Sequence, residues 1–203
     1  MEEASRQYFD SKALAISKNR EPYKSFLEAM YELDAMLLLQ VPDRKMGETM
    51  ARILYATGIT AMETYLSDTF INRVLNDDAL LRRCVETDPE LCNRDLKLGA
   101  IFSRQAGLRE EVKEYLTSLL FHNLAKINLM YRSVLDVHFP KDLSAVYKAV
   151  STRHDIVHRG GKSKAGKIVP VSAADVRSLI KTLKTFIHTI EEQLLAVPHN
   201  STS

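Results

Sequence analysis

Residues 172–195 read Ser-Ala-Ala-Asp-Val-Arg-Ser-Leu-Ile-Lys-Thr-Leu-Lys-Thr-Phe-Ile-His-Thr-Ile-Glu-Glu-Gln-Leu-Leu. Apolar side chains recur at Val176, Leu179/Ile180, Leu183, Phe186/Ile187, Ile190 and Leu194, the three-and-four spacing that lays one stripe along a helix. Ser172 is placed to cap its start, and Asp175 falls in the first turn, where a carboxylate meets the positive end of the helix dipole. Working outward, the same spacing recurs nearly everywhere and sustained alternation is absent. Phe26, Met30, Leu33 and Leu37 predict a first helix near 22–40, ended by Pro42-Asp43. A long second helix is predicted near 44–76, with Met46, Met50, Ile53 and Thr57 on one line and Gly58 as a close-packing point or a kink. Asn76-Asp77-Asp78 reads as a turn and N-cap for a short helix at 79–86. Asp88-Pro89-Glu90 reads as the start of another, proline being well placed in a first turn. Residues 107–137 read as helix with a break at His122-Asn123, and 141–159 as a further helix stopped by Gly160-Gly161. The expectation is an all-α fold, a bundle of long antiparallel helices in a single domain over 1–203. Residues 1–20 are expected to form an N-terminal arm or extra helix, and 196–203 a flexible tail.

The chain has 203 residues, a formal charge of +2, two cysteines and no tryptophan. Cys84 and Cys92 make no disulfide framework and lack a CxxC metal spacing, which points to a reducing compartment. The start, Met1-Glu2-Glu3-Ala4-Ser5-Arg6, leads into no apolar segment of the secretory kind. The longest apolar run, Ala35–Leu39, falls far short of the ~20 residues a membrane span needs. A cytoplasmic location with no membrane contact is expected. Met30, Met36, Met46 and Met50 lie at core spacing and read as packing residues. The small net charge hides a segregation: residues 141–184 hold ten Lys and Arg against three Asp. A localised contact with a polyanion, or a solvated helical face, accounts for that segment.

The stretch richest in chemistry is Val150-Ser151-Thr152-Arg153-His154-Asp155-Ile156-Val157-His158-Arg159-Gly160-Gly161. Cations near a helix C-terminus followed by glycine need no function, because they complement the dipole and the stop. Arg153 is different, since on a continuous helix it shares a face with Val146, Ala149, Val150, Ile156 and Val157. A guanidinium enclosed by apolar groups needs an anionic partner. Glu63, on the stripe Ile59, Leu66, Phe70 and Val74 of the second helix, is the candidate, so Glu63 and Arg153 are expected to meet. Two unrelated side chains reaching separately to water are the alternative.

Arg153-His154-Asp155-Ile156-Val157-His158 resembles the Arg, four-to-six residues, His signature of the HEPN superfamily. With its Gly-containing loop and following helix, the segment is most similar to the RiboL-PSP branch, over about residues 146–190. The resemblance implies a metal-independent endoribonuclease, without cofactor, working as a homodimer whose Arg-His pairs face each other across one RNA cleft. It assigns Arg153 and His158 as catalytic, with His154 at the variable polar position after the Arg; from the residues themselves, His154, Asp155 and Glu63 are expected in supporting roles. It also implies toxin or anti-phage roles, with an antitoxin or defence-complex partner, although some members have lost catalysis.

The residue types suit that chemistry. RNA supplies its own nucleophile, the 2′-OH, so a nuclease needs a base for it, an acid for the leaving 5′-oxygen and cations for the phosphate. Histidine serves both proton roles near neutrality, and Arg presents a fork to two phosphoryl oxygens. The products would be a 2′,3′-cyclic phosphate and a 5′-OH, with Arg159, Lys162, Lys164 and Lys167 holding flanking phosphates. Arg153 and His158 lie about 140° apart on a regular helix. Their convergence therefore needs an unwound last turn or a second copy, whereas His154 and His158 share a face. Two other readings stand beside this one. His154-Asp155-Ile156-Val157-His158 is one residue type from the zincin H-E-x-x-H, which would make a metal-dependent hydrolase with His154 and His158 as ligands and Glu191 or Glu192 as the third. A looser HD-type pattern would add His122 and Asp175. The last reading is a silent helical module binding nucleic acid or protein. Tyr65, Tyr115, Tyr131 and Tyr147 either stack on bases or fill half-buried helix positions.

Overall fold

The computed structural model describes residues 20–95 and 97–196. The expected arm, apart from residue 20, and the tail beyond Ala196 lie outside them. The described chain is all-α, with seven helices: α1 (20–36), α2 (Arg44–Asn76), α3 (Asp78–Thr87), α4 (Ile101–Ser118), α5 (Leu124–Leu135), α6 (Ser144–Arg159) and α7 (Ala173–Ala196). Among the described residues no helix is long and apolar enough to cross a membrane.

Helix α2 is the spine. The Asp43 carboxylate accepts from the Met46 N–H at 2.8 Å to start it, and Asp77 closes it while capping α3. Its buried positions, Leu54, Tyr55, Gly58, Ile59, Met62, Tyr65, Leu66, Thr69, Phe70 and Val74, recur every three or four residues and meet α1, α3, α4, α6 and α7. At Gly58 the space beside α2 is filled by its neighbours, for a β-carbon there would lie 3.1 Å from Leu179 Cδ2 and 3.5 Å from Leu33 Cδ1. The apolar stripe of α7 from Val176 to Leu194 is buried as expected. Gly58 faces Leu179, while seven residues on, the Tyr65 hydroxyl donates to Glu191 at 2.7 Å. The two longest helices therefore run parallel, a departure from the antiparallel expectation, because α3 to α6 intervene and the chain re-enters from the end where α2 began.

Two boundaries differ from expectation. After Asp88 the chain makes only a turn: Asp88 accepts from the Glu90 and Leu91 N–H groups, and Asn93 turns its amide back to the Pro89 carbonyl. That local bond competes with helix propagation, and Leu91 is the one buried apolar side chain of this turn. Helix α4 starts earlier than expected, led in by a 3₁₀ turn at Leu98–Ala100. The expected break at His122-Asn123 is present, with Asn123 capping α5. Cys84 is fully buried, which pushes its thiol up to about 12, with Asp88 nearby adding to the shift, while Cys92 is exposed. Met36, at the end of α1, and Met46 are exposed rather than packed, and on α2 the line Met46, Ile53, Thr57 faces away from the core.

Candidate functional site

Helix α6 is pinned by one face only. Val146 and Ala149 are buried and Ile156 packs against the core, while Tyr147, Ser151, His154 and His158 look outward. The helix stays regular through Arg159 and ends at Gly160, whose φ of +58° is the left-handed stop that favours glycine. The Gly160 and Gly161 N–H groups both return to the Asp155 carbonyl. The last turn is therefore not unwound, and within one chain Arg153 and His158 point about 140° apart.

His154 and His158 do come together, their ring centroids 4.6 Å apart and both rings exposed. Desolvation first, then the charges of Arg159 and His158, hold His154 below its ordinary value of 6.5. Asp155 accepts from Arg159 at 2.6 Å. Arg159, expected as a free phosphate-binding cation, is thus engaged by a carboxylate one turn earlier, the geometry of an i, i+4 pair.

The expected Glu63–Arg153 contact is absent. Glu63 instead faces His122, its Oε1 3.4 Å from Nδ1, because the α4–α5 break brings His122 over that part of α2. Arg153 is half-buried with Nε enclosed and without a hydrogen-bond partner, and no carboxylate among the described residues lies within ion-pair distance. Only Nε is sealed off, so the terminal nitrogens reach the surface, which removes the need for a buried anion.

Beyond α6 the segment is a small hairpin rather than an open loop. Lys162 and Ile168 bridge, Ser163 donates to the Lys167 carbonyl at 2.8 Å, and Gly161 and Gly166 adopt positive φ. Lys162, Lys164 and Lys167 are exposed on it, and none forms an ion pair among the described residues. Gly161 sits against Arg52 of α2, where a β-carbon would lie 3.3 Å from its Cδ. Arg52 is a cation of this neighbourhood that the sequence reading passed over, because it lies about a hundred residues away. A groove of about 490 Å³ opens here between α2 and α6, lined by Arg52, Ile53, Ala56, Thr57, Ile156 and Val157 among others. Ile53 and Val157 are 60% and 50% exposed, more than apolar side chains in a closed core.

A metal centre finds little support in these positions. Among the described residues no group of three or more His, Cys, Asp or Glu is placed to hold an ion. Glu191, a suggested third ligand, is buried against Tyr65, and Glu192 pairs with His188. His122 and Asp175 of the looser pattern are taken up by Glu63 and Ser172. No family model matches the chain, and neither a curated protein nor a solved structure is a match for it.

Proposed function

We propose that the chain is a metal-independent endoribonuclease of the HEPN kind, acting as a homodimer. The observation that carries this reading is the exposed His154–His158 pair, set on a helix end beside three lysines that form no ion pair among the described residues. His154, biased toward its neutral form at pH 7, takes the proton of the 2′-OH as that oxygen bonds to phosphorus. The P–O5′ bond breaks, and His158 supplies a proton to the departing oxygen. The products are a 2′,3′-cyclic phosphate and a 5′-OH, and DNA, without the 2′-OH, is inert.

Arg153 lies on a neighbouring flank and pairs with no carboxylate among the described residues, so we assign its terminal nitrogens to a phosphate. A second copy seated on the groove at Ile53 and Val157 would bring its Arg153 toward the histidines of the first. An antitoxin or defence-complex partner would act by covering the same end of α6. The same groove also favours a second reading, a silent module that binds protein or nucleic acid without cutting it.

Incubation of wild type and His158→Ala with total RNA in excess EDTA, followed by mapping of the ends, separates these. The expected result is cyclic-phosphate ends from wild type and a rate about 10²- to 10⁴-fold lower in the variant. Cleavage that the variant retains in full, or that EDTA abolishes, would overturn the nuclease assignment.

A further inference from the structure

Four tyrosines on helices are candidates for stacking on bases, and the structure separates them. Tyr65, Tyr115 and Tyr131 are buried, and each hydroxyl is engaged, donating to Glu191, Asp88 and the Leu66 carbonyl respectively. Tyr147 is 45% exposed, and its hydroxyl has no hydrogen-bond partner among the described residues. The ring is also outside every aromatic pair there.

The position of Tyr147 on the helix gives this exposure meaning. Seven positions separate it from His154 and eleven from His158, so at about 100° per residue each histidine projects within about 20° of Tyr147, one on either side of it. Since α6 is regular over its whole length, Tyr147 stands about 10 Å along the axis from His154, on the same open face. Ser151, between them, is small and exposed, so nothing bulky interrupts the line. Lys148, exposed beside Tyr147, adds a cation at that end. A strand of RNA laid along this face would meet a flat apolar ring at one end and two imidazoles at the other.

We propose that Tyr147 is a base-stacking platform, holding a nucleotide a short way along the strand from the phosphodiester at His154 and His158. The proposal rests on reading this face of α6 as an RNA-binding surface. Stacking recognises the π-face that every base shares, so Tyr147 anchors single-stranded RNA without choosing its sequence. Duplex RNA, whose bases are already stacked, gains nothing from it. The substrate class is therefore unpaired RNA, in a loop or an overhang.

The test uses the full-length His158→Ala protein, so that bound RNA survives, with oligo(U) carrying 5-iodouridine at successive positions. Irradiation is expected to crosslink one position to Tyr147. Tyr147→Phe is expected to keep the affinity for the oligonucleotide, and Tyr147→Leu to lower it about 5- to 100-fold. A blunt-ended duplex of the same length, with every base paired, is expected to bind equally to both variants. Equal affinity of Tyr147→Leu, or crosslinks confined to other residues, would overturn the proposal. So would a Tyr147→Leu variant whose sedimentation changes while its RNA affinity does not, which would make the ring a contact between copies of the chain. Wild type that binds through Tyr147 but shows no His158-dependent cleavage would remove the nuclease reading and leave the stacking site standing.

Discussion

At the scale of single residues, the surroundings of His154 shift its titration downward. Its imidazole is held below 6.5 by desolvation, then by Arg159 and by His158, with Asp155 opposing. The sign follows directly. As pH falls through 6.5 the unfolded chain takes up a proton that the folded chain resists, so a stability penalty appears there and is complete below the folded value. Arg159→Gln removes one cation and frees Asp155, and both changes favour protonated His154. The His154 resonances followed by NMR should then titrate at higher pH than in wild type, and the acid limb of kcat/KM should move the same way. An unmoved titration would mean that Arg159 does not govern His154. His154 and His158 were legible as neighbours from their spacing alone, because four residues apart on a helix is a contact. Glu63 and Arg153 were not, since burial patterns report that a side chain faces inward and not which helix it will find there.

At the scale of elements, the stop of α6 decides where the second imidazole stands. Gly160 has left-handed φ and open space around its α-carbon, so a methyl group there meets no clash and the cost is backbone strain alone. Gly160→Ala should lower stability by about 1–2 kcal/mol, read from urea unfolding, and Gly160→Asn by less, asparagine tolerating that region better. Both ends of α2 were readable because each is marked by an aspartate whose carboxylate caps a helix start, Asp43 and Asp77. Asp88 carries the same signal and yields only a turn. The difference lies downstream, where Asn93 offers the backbone a competing bond and just one apolar side chain is buried. A cap starts a helix, but an apolar face is what sustains it.

At the scale of the whole molecule, the charge segregation read along the sequence becomes a surface only once Arg159 is subtracted and Arg52 is added. Lys162, Lys164 and Lys167 remain as the hairpin's cations, in no ion pair among the described residues. Replacing all three with glutamine should weaken RNA binding and reduce the slope of log K against log salt by about 2, at ~0.7 per phosphate contact on a single strand. Arg159→Gln should change that slope little, and an equal change from both would contradict the separation of roles drawn here. The parallel course of α2 and α7 was not legible, because apolar periodicity is the same in either direction and only through-space contacts such as Tyr65 with Glu191 fix it. The two thiols stand in opposite surroundings. One is sealed in the core and protonated, the other open to solvent on a turn remote in sequence from α6. A maleimide dye applied to the folded chain therefore attaches at Cys92 and not at Cys84, so this protein carries a native handle for placing a single reporter without redesign.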